Sequence, residues 1–234
     1  MRTVFVALLG LGLWIPGAHS QRLVFMPVMH DVPLVLDQPR MLVNSKLVTI
    51  TRFRFYAGHF ELFHGGRAVH RHDAYHLIDA ADPKTLSLDL GLTSAETIDS
   101  VVFTLGVDSL TNVSGAMAGD LDPIKGMYWT WNSGYINLKL EGTSPGSPYA
   151  SRAFELHLGG YMPPFATAQR VVLPVSGSGP WAISVDVERL LQVADVTSKC
   201  NVMSPGKTAV RLSRTAASMF SHRFLPPEDD VFKR

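Results

Sequence analysis

The sequence predicts an all-β domain, an antiparallel β-sandwich or barrel-like fold with one or two short helices near the C-terminus. Three observations carry this. Apolar residues recur with a period of two along several short segments, turn dipeptides separate those segments, and helix-like periodicity is confined to the C-terminal part of the chain.

Taken in order, the first twenty residues read as a secretory leader. Arg2 precedes an apolar run from Val4 to Ile15, and Ala18-His19-Ser20 puts small residues at the cleavage-defining positions. Cleavage is expected near Ser20, before Gln21, which makes the mature protein periplasmic or secreted. No later segment is apolar for long enough to predict a membrane span. The expected organisation is a signal peptide over 1–20, one β domain over 21–225 and a flexible tail over 226–234, where Pro226-Pro227 leads into Glu228, Asp229 and Asp230.

Within the domain, Val48 and Ile50, then Phe53 and Phe55, then Leu86, Leu88 and Leu90 read as half-buried strands. Ile136, Leu138 and Leu140 do so too, with Asn137, Lys139 and Glu141 on the opposite face. Turns are expected at Phe63-His64-Gly65-Gly66, Asp82-Pro83, Asp122-Pro123 and Ser176-Gly177-Ser178-Gly179-Pro180. Helices are expected over Asp186 to Val193 and over Lys207 to Phe220. The second follows Pro205-Gly206 and places Ala209, Leu212, Ala216 and Met219 on one face.

Composition narrows the function. The chain has 21 basic and 20 acidic residues, so losing Arg2 with the leader leaves a mature net charge of zero and no basic excess for nucleic acid. Cys200 is the only cysteine, which excludes an intramolecular disulfide and leaves burial, an intermolecular bridge or soft-metal ligation. Trp131-Asn132-Ser133-Gly134 lacks the flanking glycine of a hydrolase elbow, and no glycine-rich loop precedes a helix. Nothing in these residues demands an enzyme.

Chemistry concentrates in three places. The stretch from Met127 to Tyr135 holds Tyr128, Trp129, Trp131 and Tyr135, either as an aromatic plug in the core or as a shaped site. Just before it, Asp120 and Asp122 suit a turn or a hard cation, calcium being the ion. Five histidines, His59, His64, His70, His72 and His76, lie close together, either on a solvated hairpin or as ligands for copper or zinc, although their spacing matches no zinc pattern. His157 stands on an alternating segment, Phe154 to Leu158, that stops at two glycines. Its candidate co-ligands are His30 and the thioethers of Met127, Met162 and Met203, which suit Cu(I).

The segments Leu105-Gly106-Val107-Asp108-Ser109, Asn112-Val113-Ser114-Gly115, Gly119-Asp120-Leu121-Asp122-Pro123, Gly126 through Tyr135, Lys139-Leu140-Glu141-Gly142 and His157-Leu158-Gly159-Gly160 together resemble the MbnP-like family of periplasmic copper-binding proteins. The likeness is strongest from Phe103 to Gly160 and extends more weakly from Val24 to Phe220. It implies an exported β-rich protein that binds copper, as Cu(I) or Cu(II), and acts in copper binding or trafficking. It also implies a partner, a di-haem protein of the cytochrome c peroxidase type, which oxidises a tryptophan of this chain to kynurenine. The chain has no Cys-x-x-Cys-His haem attachment of its own, so by resemblance it is substrate and carrier. Trp129 and Trp131 are the implied precursors, and two residues apart on a strand they share a face. His157 is the first implied copper ligand, with His30 and Met127 after it. The related copper proteins carry a histidine two residues from the modified tryptophan, a position this chain fills differently. A second class of function stays open: a metal-free β-sandwich module that binds glycan or peptide on a platform of Tyr128, Trp129, Trp131 and Tyr135.

Overall fold

A computed structural model describes residues 22–92, 97–132, 134–198 and 201–223. The leader, Cys200 and the 226–234 tail lie outside the described residues. In chain order the elements are β1 (Arg22–Met29), β2 (Val32–Pro33), β3 (Pro39–Met41), β4 (Leu47–His64), β5 (Arg67–Asp79), β6 (Ser87–Asp89), β7 (Ser100–Leu105), α1 (Ser109–Val113), β8 (Tyr128–Trp129) and β9 (Gly134–Thr143). They continue with β10 (Ala153–Gly159), β11 (Gln169–Pro174), β12 (Trp181–Asp186), α2 (Val187–Ala194), α3 (Lys207–Ala217) and β13 (Phe220–Arg223).

Two sheets face each other. The smaller runs β13-β12-β1-β2, with β6 also on β1; the larger runs β10-β9-β4-β7-β11, with β3 and β5 on β4 and β8 on β9. Every named pair is antiparallel except β1 with β12, which run parallel from Leu23 opposite Trp181 to Val28 opposite Asp186. Neither sheet closes into a barrel, so the sandwich form of the predicted class is the one adopted.

The long strand β4 organises the larger sheet. Its inward residues are Val48 and Ile50, then Phe53, Phe55 and Ala57, then Phe60 and Leu62, all essentially inaccessible. The phase changes twice because β4 carries an extra residue against β9 between Ile50 and Arg52, and another against β7 between Gly58 and Glu61. Each bulge shifts the side-chain alternation by one, which keeps the apolar set pointing inward along a strand too long and bent for one register. The second bulge places His59 at φ +49°, a left-handed conformation uncommon outside glycine.

Between the sheets, Phe25, Phe55, Phe103 and Phe220 meet edge to face with ring centroids 5.2–6.2 Å apart, and Trp181 is fully buried beside the aliphatic core. Both C-terminal helices form as the periodicity predicts. The Asp186 side chain caps α2 at Glu188 N–H, and Ala209, Leu212, Ala216 and Met219 bury one face of α3 and the turn that follows it.

On one edge of β4 the register places β9 first and β7 after it. The fork between them is spanned by a side chain: Asn137 Oδ1 accepts from Val107 N–H at 2.9 Å, and its Nδ2 donates to Thr167 Oγ1 at 2.9 Å. Gly106 is required here, since its φ of +101° is left-handed and a Cβ would sit 2.5 Å from the Asn137 side chain.

Candidate functional site

The segment 107–132 leaves the fork and folds over the outer face of the larger sheet. Asp108 caps α1 by accepting from Thr111 N–H at 2.9 Å, and Asp122 caps the following turn at Ile124 N–H. Buried Asn112 pins the loop to β9: Oδ1 accepts from Tyr135 N–H at 2.9 Å, while Nδ2 donates to the Val107 and Asp108 carbonyls. Beneath the loop Tyr56, Leu77, Val107, Leu121, Met127, Trp129, Tyr135 and Ile136 form a second, smaller core. The polar face expected for Asn137, Lys139 and Glu141 is therefore covered. Burial pushes the Lys139 ammonium below its usual range, and its Nζ donates to the Gly126 carbonyl at 2.5 Å.

β8 and β9 make a tight hairpin, with Tyr128 opposite Tyr135 and Trp129 opposite Gly134. Trp129 is 5 % exposed and lies flat on Gly159, where a Cβ would meet its ring at 2.7 Å. Trp131 is 65 % exposed, and the two indole centroids are 5.6 Å apart. The strand face expected to carry both is not formed, since β8 ends at Trp129 and Trp131 stands in the turn, yet the rings are near each other. The Trp129 indole N–H is buried with no hydrogen-bond partner, a property shared only with Trp181 among the described tryptophans. A cleft of about 230 Å³ opens beside the hairpin, lined by Asn132, Tyr161, Met162, Pro163, Phe165 and Pro205. Met162, 61 % exposed, is the thioether that reaches the open side of this hairpin, whereas Met127 is completely buried in the second core.

His157 sits on the same strand as Gly159, two residues before it, and is buried. Its Nε2 lies 2.7 Å from Glu141 Oε1. An ionised carboxylate only accepts, so Nε2 carries the hydrogen and Nδ1 is the nitrogen with a lone pair to offer. The His157 hydrogen bond is the chief reason the Glu141 carboxyl is held below its ordinary value, and Arg52 Nη1 adds a second bond at 2.7 Å. A carboxylate that fixes an imidazole's tautomer is the arrangement that orients metal-ligating histidines.

The other implied ligands are placed elsewhere. His30 lies in the β1–β2 turn of the smaller sheet, with Nε2 2.6 Å from Glu188 on α2. Met203, 42 % exposed, belongs to the segment before α3. Among the described residues no three His, Cys, Asp or Glu side chains are grouped to hold a metal ion. Asp120 and Asp122 are used as turn formers: Asp120 holds Lys125 Nζ at 2.6 Å and Leu77 N–H at 3.2 Å, so calcium there would have to displace a lysine. The aromatic platform fails on burial. Tyr135 is 1 % exposed and Trp129 is covered, because the loop and its second core occupy the face on which a glycan would lie.

Of the clustered histidines, His70 bonds the Leu90 carbonyl at 2.7 Å and His64 lies 3.3 Å from Thr97 Oγ1. His72 and His76 face each other. His59, which sequence reasoning grouped with them, donates instead to Asp108 Oδ2 at 3.0 Å and packs edge-on against Tyr75, whose hydroxyl also donates to Asp108. The signal that could have separated His59 is the phase break between Ala57 and Phe60.

A sequence model of the MbnP family matches residues 19–204. The chain belongs to the MbnP family. The structure is similar to that of MbnP from Methylosinus trichosporium, with a TM-score of 0.59 and 15 % sequence identity over 81 % of this chain and 86 % of that one, a likeness of fold. No curated protein matches the sequence. The MbnP match spans the larger sheet, all of the smaller one except β13, the covering loop, the tryptophan hairpin and the His157 strand, and ends before α3.

Proposed function

We propose that this chain is an exported copper-binding protein, periplasmic or secreted and not itself an enzyme, whose tryptophan pair is oxidised by a di-haem partner of the cytochrome c peroxidase type. The observation that carries the reading is the stacked order at the hairpin: an exposed Trp131, a buried Trp129 behind it, and the His157 strand beneath. Trp131, with exposed Leu110, Val113 and Met162 on the same loop layer, offers an apolar rim where a partner's haem edge can draw electrons. Trp129 is the ring whose conversion alters the buried site.

Conversion to kynurenine cleaves the indole C2–C3 bond. Two peroxide equivalents deliver two oxygen atoms and leave as water; hydrolysis then releases C2 as formate. An unpartnered indole N–H becomes an aromatic amine beside a ketone, and an apolar plug becomes a polar group able to face a metal. His157 Nδ1, on the strand beneath the hairpin, and the Met162 thioether, on the cleft beside it, are donors that both suit Cu(I).

The test is to treat the purified chain with the di-haem partner and peroxide, map the modified tryptophan by peptide mass, and titrate Cu(I) against a chromophoric chelator. Modification at Trp129 with a gain in Cu(I) affinity that His157→Ala removes is the expected result. Unmodified tryptophans, or affinity indifferent to both changes, would overturn it.

A further inference from the structure

We infer that His72 and His76 form a two-coordinate site for Cu(I), separate from the tryptophan hairpin and not dependent on its oxidation. Both lie on β5, at the edge of the larger sheet and outside the elements the functional reading above uses. In a regular strand residues four apart are about 13 Å apart along the axis. Here β5 carries an extra residue against β4, since Gly58 pairs with Tyr75 but Phe60 with His72, so a bulge at Asp73 and Ala74 lies between the two histidines. The side chains lean toward each other across it.

Their geometry is head to head. The Nε2 atoms are 2.8 Å apart, the ring centroids 5.0 Å apart and the planes only 16° apart. A centroid separation that large for so short an N–N distance requires the two Nε2 atoms to lie almost on the line joining the rings. The rings are therefore nearly coplanar with their nitrogens opposed, rather than stacked face on face. Two collinear imidazole lone pairs are the donor set of a linear two-coordinate ion.

The surroundings favour a soft monovalent ion over zinc. Among the described residues no third His, Cys, Asp or Glu side chain completes a ligand group, while zinc in protein sites wants four ligands. The Phe60 ring lies 6.3 Å from His72 and 6.1 Å from His76 and gives the pair an apolar floor. Asp120 Oδ2 is 3.9 Å from His76 Nδ1, close enough to favour the tautomer that leaves Nε2 free to ligate, while Lys125 balances its charge. Burial, then the neighbouring His72, lowers the His76 pKa against the opposing pull of Asp120, which keeps the ring neutral as a ligand must be.

Without metal, one ring donates Nε2–H to the other. On binding, that hydrogen moves to the same ring's Nδ1 through solvent, so both lone pairs meet the ion with no net proton released. Metal–nitrogen bonds of roughly 2 Å each require the N–N gap to widen by about 1 Å, a small side-chain rotation for half-buried His72 on an edge strand.

Two measurements test this on the purified chain, first unoxidised and then after treatment with the di-haem partner and peroxide. Cu(I) is titrated against a chromophoric chelator for the wild type, His72→Gln, His76→Gln and His70→Gln, with melting curves to confirm folding. Ag(I), a redox-inert substitute, is followed by histidine side-chain ¹H–¹⁵N correlation spectra of the wild type, which decides the matter even if a variant fails to fold. Expected for the unoxidised chain are one equivalent bound, Nε2 shifts at His72 and His76, a loss of at least about a hundredfold in affinity for either of their variants, and no change for His70→Gln, whose ring is engaged with the Leu90 carbonyl. Shifts confined to His157, or Cu(I) affinity that survives both histidine variants and arises only once the tryptophans are oxidised, would overturn this site while leaving the hairpin reading standing. Binding that follows only His72 and His76, and does not change when the tryptophans are oxidised, would uphold it and remove the hairpin's copper. No Cu(I) binding in either oxidation state would overturn both.

Discussion

The inter-sheet core and the smaller core under the 107–132 loop are built from opposite materials. The first is filled by Phe25, Phe55, Phe103, Phe220, Trp181 and aliphatic side chains. The second mixes polar atoms into nearly every contact: Tyr56 OH bonds the Asp120 carbonyl, Tyr135 OH the Leu121 carbonyl, and Asn112, Asn137 and Lys139 border it. Apolar packing tolerates no chemistry, whereas a small core of hydrogen-bonded aromatic groups can hold one ring, Trp129, in a fixed place beside solvent. The difference teaches where stability and function part company in this fold.

The comparison breaks first in the larger core. Phe103→Ala removes a ring that touches Phe25, Phe60 and Phe220 and should lower unfolding free energy by about 3–5 kcal/mol, read from urea denaturation. If the second core is a separate layer, Asn112→Ala should cost less, about 1–3 kcal/mol from the unpaired Tyr135 N–H and Val107 carbonyl, and should loosen the loop selectively. Amide exchange that quickens over 107–132 while β4 and β12 stay protected is the expected pattern; uniform quickening would mean one core, not two.

Gly159→Ala sharpens the comparison at its most local point. The added methyl collides with the Trp129 ring, and a loss of about 1–3 kcal/mol with a red-shifted tryptophan emission is expected. The smallest effect concerns Asp108. Burial alone would raise its carboxyl, but bonds from Tyr75, the Thr111 N–H and His59 outweigh burial and hold it well below the ordinary carboxylate range. A depressed carboxyl contributes stability that is fully present above the unfolded-state pKa of about 4 and is lost as pH falls through the folded value. Asp108→Asn should therefore cost about 1 kcal/mol near neutrality, and its urea midpoint should converge with the wild type only at strongly acidic pH.

Much of the sandwich was legible because burial on one face writes alternation into the sequence. Ile136 and Leu86 apart, the predicted strand residues point into the main core, Leu86 falling instead in the 3-10 turn before β6, and α2 and α3 start where Asp186 and Gly206 announce them. The two bulges of β4 were written in the phase change from Ile50 to Phe53 and from Ala57 to Phe60, yet only pairing partners show which strand carries the extra residue. The parallel β1–β12 pair joins segments some 150 residues apart and leaves no local mark. Of the candidate site, spacing placed Trp129 and Trp131 together but not the end of β8 at Trp129, which leaves Trp131 exposed in the turn. The burial of Tyr135 was not, because periodicity reports a face but not which loop will cover it. Nor was His157's bond to Glu141 or the opposition of His72 and His76, both set by register rather than by composition.

At the fork of β4, two strands part and an asparagine side chain stands where backbone rungs would otherwise run. The loop that begins there is fastened at Val107 by Asn137 and at Tyr135 by Asn112, both through side-chain amides. A covering that joins the ladder only through β8, and is otherwise held by such latches, can lift ahead of that hairpin without unravelling the sheet. Natural variation can then rewrite the whole stretch between Asp108 and Asn132, ring pair included, as a cassette on an unchanged chassis.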